Sequence, residues 1–143
     1  REYIVHPGAV LIVPILPDGR LVVERQFRYP VGKVLLEFPA GKLDPGEAEI
    51  VTAQRELAEE AGYVAAMWTP LGRIHSVVGY SNEAIALFIA EGLTQVGAAQ
   101  DDGEFLEIVI LTLDEMLAPL DRGEITDAKT VAALLLFARR RSR

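Results

Sequence analysis

The chain has 143 residues, half of them hydrophobic, which suits one domain with a real core, and no apolar run approaches the ~20 residues that span a bilayer. Its 21 acidic and 14 basic residues leave a net charge of −7, which argues against a nucleic-acid partner. The absence of cysteine excludes a disulfide framework, a thiolate zinc site and a cysteine nucleophile, and suits a reducing cytoplasm. The start, Arg1-Glu2-Tyr3-Ile4, shows neither a signal-peptide pattern nor an initiator methionine and reads as a trimmed chain or a fragment.

Ala9 to Leu16 is a near-continuous apolar run and Leu21 to Glu24 is another, with Pro17-Asp18-Gly19-Arg20 between them, so a β-hairpin with an explicit turn is predicted. Pro14 removes a ladder bond and is expected at a bulge or an edge. In Arg25-Gln26-Phe27-Arg28-Tyr29-Pro30 two arginines interleave with aromatics. An arginine fork suits a phosphate and its flat face suits a base; the alternative is strand-end surface charge. Val34 to Phe38 reads as a short buried strand in which Glu37, a carboxylate among apolar neighbours, needs a partner or a task.

Gly41 to Tyr63, GKLDPGEAEIVTAQRELAEEAGY, organises the chain. Its second half predicts a helix: Pro45 and Gly46 punctuate the start, Glu47 and Glu49 suit an N-terminal dipole, and Gly62 stops it. Ile50, Ala53, Leu57 and Ala61 recur at three- and four-residue steps as one apolar face. Glu56, Glu59 and Glu60 then share another face, with Arg55 at its edge. Crowded carboxylates repel unless a cation sits among them, and their oxygens suit magnesium or manganese, which also bridge to substrate phosphates; a solvated acidic surface is the alternative.

Beyond this stretch, Leu71 to Val78 and Ala84 to Ala90 predict two strands joined by Gly79-Tyr80-Ser81-Asn82-Glu83. Gln100 to Glu104 reads as an acidic loop, and Phe105 to Leu111 returns to strand character. His6 and His75, with no partner visible in sequence, read as structural. Leu113 to Leu117 is a helical turn broken by Pro119, and Asp127 to Arg140 a packing helix capped by Thr126 or Asp127, with Val131, Leu134, Leu135 and Ala138 on one face. The basic run Arg139 to Arg143 reads as a helix C-terminus and a frayed tail. Periodicity alone supports a mixed α and β fold in one domain over 1–143.

The spacing Gly41, Glu47, Arg55-Glu56-Leu57, Glu59-Glu60, Gly62 resembles the Nudix box of the Nudix hydrolases, with Tyr63 where an aliphatic residue is more usual. The resemblance extends through Gln26-Phe27-Arg28-Tyr29, Glu37-Phe38-Pro39-Ala40-Gly41, Gly79 to Glu83 and Glu124 to Thr130, which look like the ADP-ribose pyrophosphatase branch. It implies an α/β/α sandwich around a mixed sheet. It also implies a metal-dependent hydrolase of a nucleoside diphosphate sugar, ADP-ribose first, with GDP-mannose, another dinucleotide, a nucleoside triphosphate or a non-catalytic ligand sensor as alternatives. By the same resemblance Glu56 and Glu60, with the carbonyl of Ala40, ligate Mg²⁺ or Mn²⁺, and Glu59 is a ligand or an outer acid. Glu104 joins the metals or activates water, with Asp102 as a second loop acid, and Arg55 orients the glutamates. Arg28, Glu37 and Gly41 belong to the substrate pocket. Val78 stands where that branch typically has proline. Members of the branch usually carry an N-terminal segment that helps to form a homodimer, and this chain is expected to lack it.

Overall fold

The structure is a computed structural model and describes residues 1–99 and 106–143. Its elements run β1 (Ala9–Pro14), β2 (Leu21–Arg28), β3 (Lys33–Glu37), β4 (Ala40–Lys42), α1 (Glu49–Glu56), a π-helical turn (Leu57–Ala61), β5 (Tyr63–His75), β6 (Ala84–Gln95), β7 (Leu106–Leu111), α2 (Leu113–Asp121) and α3 (Ala128–Arg141). A four-stranded mixed sheet has the order β4-β1-β6-β5, in which β1 and β6 are parallel and the other pairs antiparallel. A second, antiparallel sheet has the order β3-β2-β7.

Every residue of β1 is buried, as are the first four of β2, because alternate side chains enter two separate cores. Leu11, Val13, Leu21 and Val23 pack with Phe38, Met116, Leu134 and Phe137 of the core beneath α2 and α3. Val10, Ile12 and Val22 face the other way, onto Ala53, Leu57 and Ala61 of the α1 side. Helices therefore cover both sides of the sheet layer, as expected of an α/β/α sandwich. Each Leu or Val so buried contributes about 1.5–3 kcal/mol, which fixes the layer order more firmly than strand propensity does.

The structure corrects several boundaries. The apolar runs of β1 and β2 do not form a ladder-paired hairpin; they belong to different sheets, and the turn between them retains only the Ile15–Leu21 bridge and the Leu16 N–H to Arg20 carbonyl bond. A hairpin would leave one face of each strand wet, whereas both runs are apolar on both faces. Pro14 fits its expected edge: the β4 ladder ends at Leu11, so on that side Pro14 has no strand to pair with. β3 is less buried than expected, with Val34 59% exposed and only Glu37 fully covered. β5 begins at Tyr63, well before Leu71, and crosses Pro70 through a register shift next to Gly72; Val78 lies beyond its end. α2 continues through Pro119, stabilised at its start by the reciprocal Thr112–Glu115 capping box. In α3, Asp127 is the cap, and Leu135 is 51% exposed while Thr130, Ala133 and Phe137 are inward, so the buried face is rotated from that predicted.

The π-helical turn ends at Gly62, whose φ of 77° lies in the left-handed region and whose Cα faces the backbone of Gly97 and Ala98. A Cβ here would stand 2.7 Å from the Ala98 nitrogen. Gly62→Ala is therefore expected to cost on the order of 1–3 kcal/mol, read as a fall in the denaturant midpoint, whereas Gly97→Ala, with a similar φ and open space, should cost less.

Candidate active site

The start of α1 is set by a side chain upstream of it. Glu47 accepts the Asp44 N–H at 3.1 Å and the Thr52 hydroxyl at 2.6 Å, so it ties the Pro45-Gly46 turn to the first helical turn. Arg55, two turns on, returns to the same carboxylate with Nε and Nη2 at 2.9 Å each. Its Nη1 reaches Glu56 at 2.9 Å and Glu59 at 3.3 Å, and its Nη2 the Lys42 carbonyl at 3.3 Å. One guanidinium thus fixes three glutamates and the end of β4. Arg55, with Thr52 and the Asp44 N–H, holds the Glu47 carboxyl down to about 2, and those carboxylates push the Arg55 pKa up in return.

The π-helical turn separates the acids that a regular helix would keep on one face. Glu60 is 9% exposed and turns inward, where its Oε2 accepts the Ala40 N–H at 3.3 Å. Glu59 stays outside on Arg55, its side chain 40% exposed. Glu56 lies so close to the backbone of β4 that a Cβ on Gly41 would collide with its carboxyl group. Glycine at 41 is thus a packing requirement of the site. Beneath Glu60 lies Glu24 of β2, 2% exposed, with Oε2 unpartnered among the described residues. Burial, then the negative charge of the neighbouring acids, pushes the carboxyls of both Glu24 and Glu60 well above the usual range.

Across the cleft stands a cationic wall. Arg28 grips Glu37 through Nε at 2.8 Å and Nη2 at 2.7 Å, and Lys129 Nζ reaches the same carboxylate at 2.9 Å and Asp127 at 3.0 Å. Burial alone would raise the Glu37 pKa, but Arg28 and Lys129 outweigh it and hold the carboxyl below its ordinary value. Between the walls is a cleft of about 520 Å³ that Gln26, Arg28, Gly41, Glu56, Glu60 and Lys129 help to line. Glu83 borders it too; the carboxylate accepts from the Ser76 hydroxyl and lies 2.9 Å from Nε2 of His6, whose Nδ1 accepts the Gly8 N–H at 3.0 Å.

Of the residues predicted from sequence, Arg28, Ala40, Gly41, Arg55, Glu56 and Glu60 line this one cleft. Glu37 does not line it; it is buried beneath and bridges the two cations that do. Glu59 is tied to Arg55 outside the lining, and Asp102 and Glu104 lie outside the described residues. Sequence reasoning missed Lys129, Glu83 and Glu24. The demand of Glu37 for a partner was the only signal for Lys129, 92 residues away. His6, read as partnerless, is paired with Glu83.

Among the described residues no three acidic or histidine side chains form a ready-made ion cage. What the site offers is an all-oxygen patch of Glu56, Glu60 and the β4 backbone, with an unpartnered carboxylate oxygen on Glu24 below it. Crowded acids with oxygen donors and no sulfur or imidazole suit a hard divalent cation.

A family model described as the NUDIX domain matches residues 5–134. An ADP-ribose pyrophosphatase of Bacillus subtilis (strain 168) is 37% identical over 136 residues, covering 94% of this chain and 74% of that protein. A methanol dehydrogenase activator of Bacillus methanolicus is 40% identical over the same length and coverage. A solved structure described as an ADP compounds hydrolase superposes with a TM-score of 0.83 at 31% identity, covering 92% of this chain and 71% of that one.

The raised carboxyls make the cation-free protein pH-sensitive in a definite direction. A carboxyl with a raised folded pKa favours the fold while protonated, so this contribution is present below the ordinary value of 4.5 and is lost as pH rises through the raised values. The lowered groups, Glu37 and Glu47, act only at acid pH, below that window. Melting in chelator is therefore expected to fall by roughly 5 °C or more between about pH 5 and pH 8, and added divalent cation should restore it. A flat profile would contradict the crowding of Glu24 and Glu60.

Proposed function

Because the chain belongs to the NUDIX domain family, we propose that it is a Nudix pyrophosphohydrolase that cleaves the pyrophosphate of a nucleoside diphosphate sugar, ADP-ribose first, to AMP and ribose 5-phosphate. The observation that carries this is the pairing of walls in one cleft. Glu56 and Glu60 against the backbone of Ala40 and Gly41 face Arg28 and Lys129. An acidic wall repels a pyrophosphate unless a cation lies between, and a cationic wall has little use in a metal-storage site. Together they fit a polyanion held from one side by side chains and from the other through a metal. Similarity to proteins named ADP-ribose pyrophosphatase and ADP compounds hydrolase supports the substrate class.

The enzyme is metal-dependent, and the oxygen-only donor set favours Mg²⁺, with Mn²⁺ able to replace it. Glu56, Glu60 and the Ala40 carbonyl would hold the ion. When bound, the ion neutralises pyrophosphate charge and acidifies water. The residues of the chain do the rest. Arg55 fixes the Glu56 carboxylate in place and reaches Glu59 with the same nitrogen. Arg28 spends Nε and Nη2 on Glu37, so Nη1 and the Lys129 ammonium present charge to the phosphate oxygens. Glu104, with Asp102 beside it and Glu59 as the next candidate, takes the proton of the attacking water as the oxygen bonds to phosphorus and the bridging P–O bond breaks.

The composition and a small nucleotide substrate place the enzyme in the cytoplasm, which cell fractionation would check. No described helix is long and apolar enough to cross a membrane. Phe27, Tyr29, Val31 and Val34 lie exposed at the β2–β3 end, and a homodimer would cover them; light scattering that returns a monomer mass would overturn that assembly.

Glu56→Gln and Glu60→Gln are each expected to lower kcat/KM by roughly a hundredfold or more with the fold retained, because each removes charge from the cation site. The substrate is read from a panel of ADP-ribose, GDP-mannose, a dinucleotide, ATP and dGTP with Mg²⁺. ADP-ribose should give the highest kcat/KM, and release of AMP or GMP names the bond. A triphosphate in first place would overturn the substrate, and cleavage of none would make the chain a ligand-binding domain.

A further inference from the structure

Glu24, Gln26 and Arg28 alternate along one face of β2, the face that turns Val22 onto the α1 side. Gln26 and Arg28 line the cleft, so Glu24 is the deepest of a stripe of polar side chains directed at it. The residue is 2% exposed, and its Oε2 has no hydrogen-bond partner among the described residues. Its neighbours make that arrangement costly. Glu37 is its register partner on β3, and Glu60 lies against it from the π-helical turn. Leucine or valine at 24 would extend the Val22 core, joining Ile108 and Ile110 of β7, with no such cost. A buried oxygen left unpartnered costs on the order of 1–3 kcal/mol, and a carboxylate more. Lys129 and Arg28 do not relieve it by contact, because both direct their hydrogen bonds to Glu37.

We propose that Glu24 is a further carboxylate of the cation site, supplied by the sheet from beneath Glu60 and joining the acids of the helical turn when the ion binds. The inference rests on the cation-dependent reading of the cleft. It gives the site an anchor that is independent of the helix. Glu56 and Glu60 share one turn and move with it, whereas Glu24 belongs to the central strand of the β3-β2-β7 sheet, whose side chains are pinned on both sides. A donor there would hold the ion at a fixed height above the sheet while substrate enters and leaves.

The test is Mn²⁺ binding to the whole chain without nucleotide, followed by the loss of the free-ion EPR signal, for wild type, Glu24→Gln, Glu24→Met and Glu56→Gln. Melting in chelator is recorded alongside. Both Glu24 variants are expected to bind Mn²⁺ about tenfold or more weakly, yet to melt no lower than wild type in chelator, because each removes a buried acid from like-charged neighbours. Mn²⁺ affinity within twofold of wild type in both would overturn the proposal. If Glu56→Gln has lost affinity in that experiment, the cation reading of the cleft stands; if it has not, that reading fails too. Failure of both Glu24 variants to fold in chelator would make Glu24 a structural residue and equally overturn the proposal.

Discussion

Like charge held close together is the constraint from which the rest of the site follows. Glu56 rests against the backbone of Gly41, Glu60 bonds the Ala40 N–H, and Glu24 is buried beneath them. Left alone, such a patch would push its members apart or force protons onto them. Two features prevent the first outcome. Arg55 grips Glu47, Glu56 and Glu59 at once, so the helix cannot swing its acids outward without breaking a bidentate pair. The sheet below is apolar and close-packed, so Glu24 has nowhere else to go. The fold thus holds a strained charge distribution ready for a cation, which is the electrostatic preorganisation that phosphoryl chemistry needs.

The cationic side is built by a different logic. Arg28 comes from β2 and Lys129 from the first turn of α3, and neither element touches the box helix in sequence. Glu37 joins them. A fully buried carboxylate shared by an arginine fork and a lysine keeps both long side chains at fixed positions on the cleft wall, which exposed charges would not be. The alternatives left open for Arg28 in the sequence, phosphate contact or plain surface charge, are narrowed by this: half-buried and bidentate, it is a positioned group.

How much could be read in advance divides along the same line. The acidic wall was legible because its members lie within one helical stretch and its glycine, and local spacing carries that information. The cationic wall was half legible. Arg28 and Glu37 stood out as oddities in apolar strands, but their link through Lys129 spans 92 residues and no periodicity records such a pairing. Glu24 carried the same signal as Glu37, a carboxylate ending an apolar run, yet it read as the polar end of a strand because β2 was taken to stop there. The pairing of β1 with β2 failed for a related reason. An apolar run and a turn specify that two strands follow each other, while which sheet each joins depends on covering both of its faces. Pro119 misled as well: a capping box three turns of argument away from it, at Thr112, decides whether that helix persists.

The π-helical turn of residues 57–61 makes the position of the last acid a question of angular phase. Gly62 N–H reaches back five residues to the Leu57 carbonyl at 3.1 Å, so the chain takes an extra residue to complete that turn. In a regular helix each residue advances by about 100°, and restoring that winding would change the bearing of everything after Leu57. Removing Ala58, a half-buried residue with no charge, would therefore turn Glu60 away from Ala40 while leaving Arg55 and Glu56 where they are. Length in this turn acts as a dial: one residue more or fewer leaves the count of carboxylates unchanged but aims them at a different place.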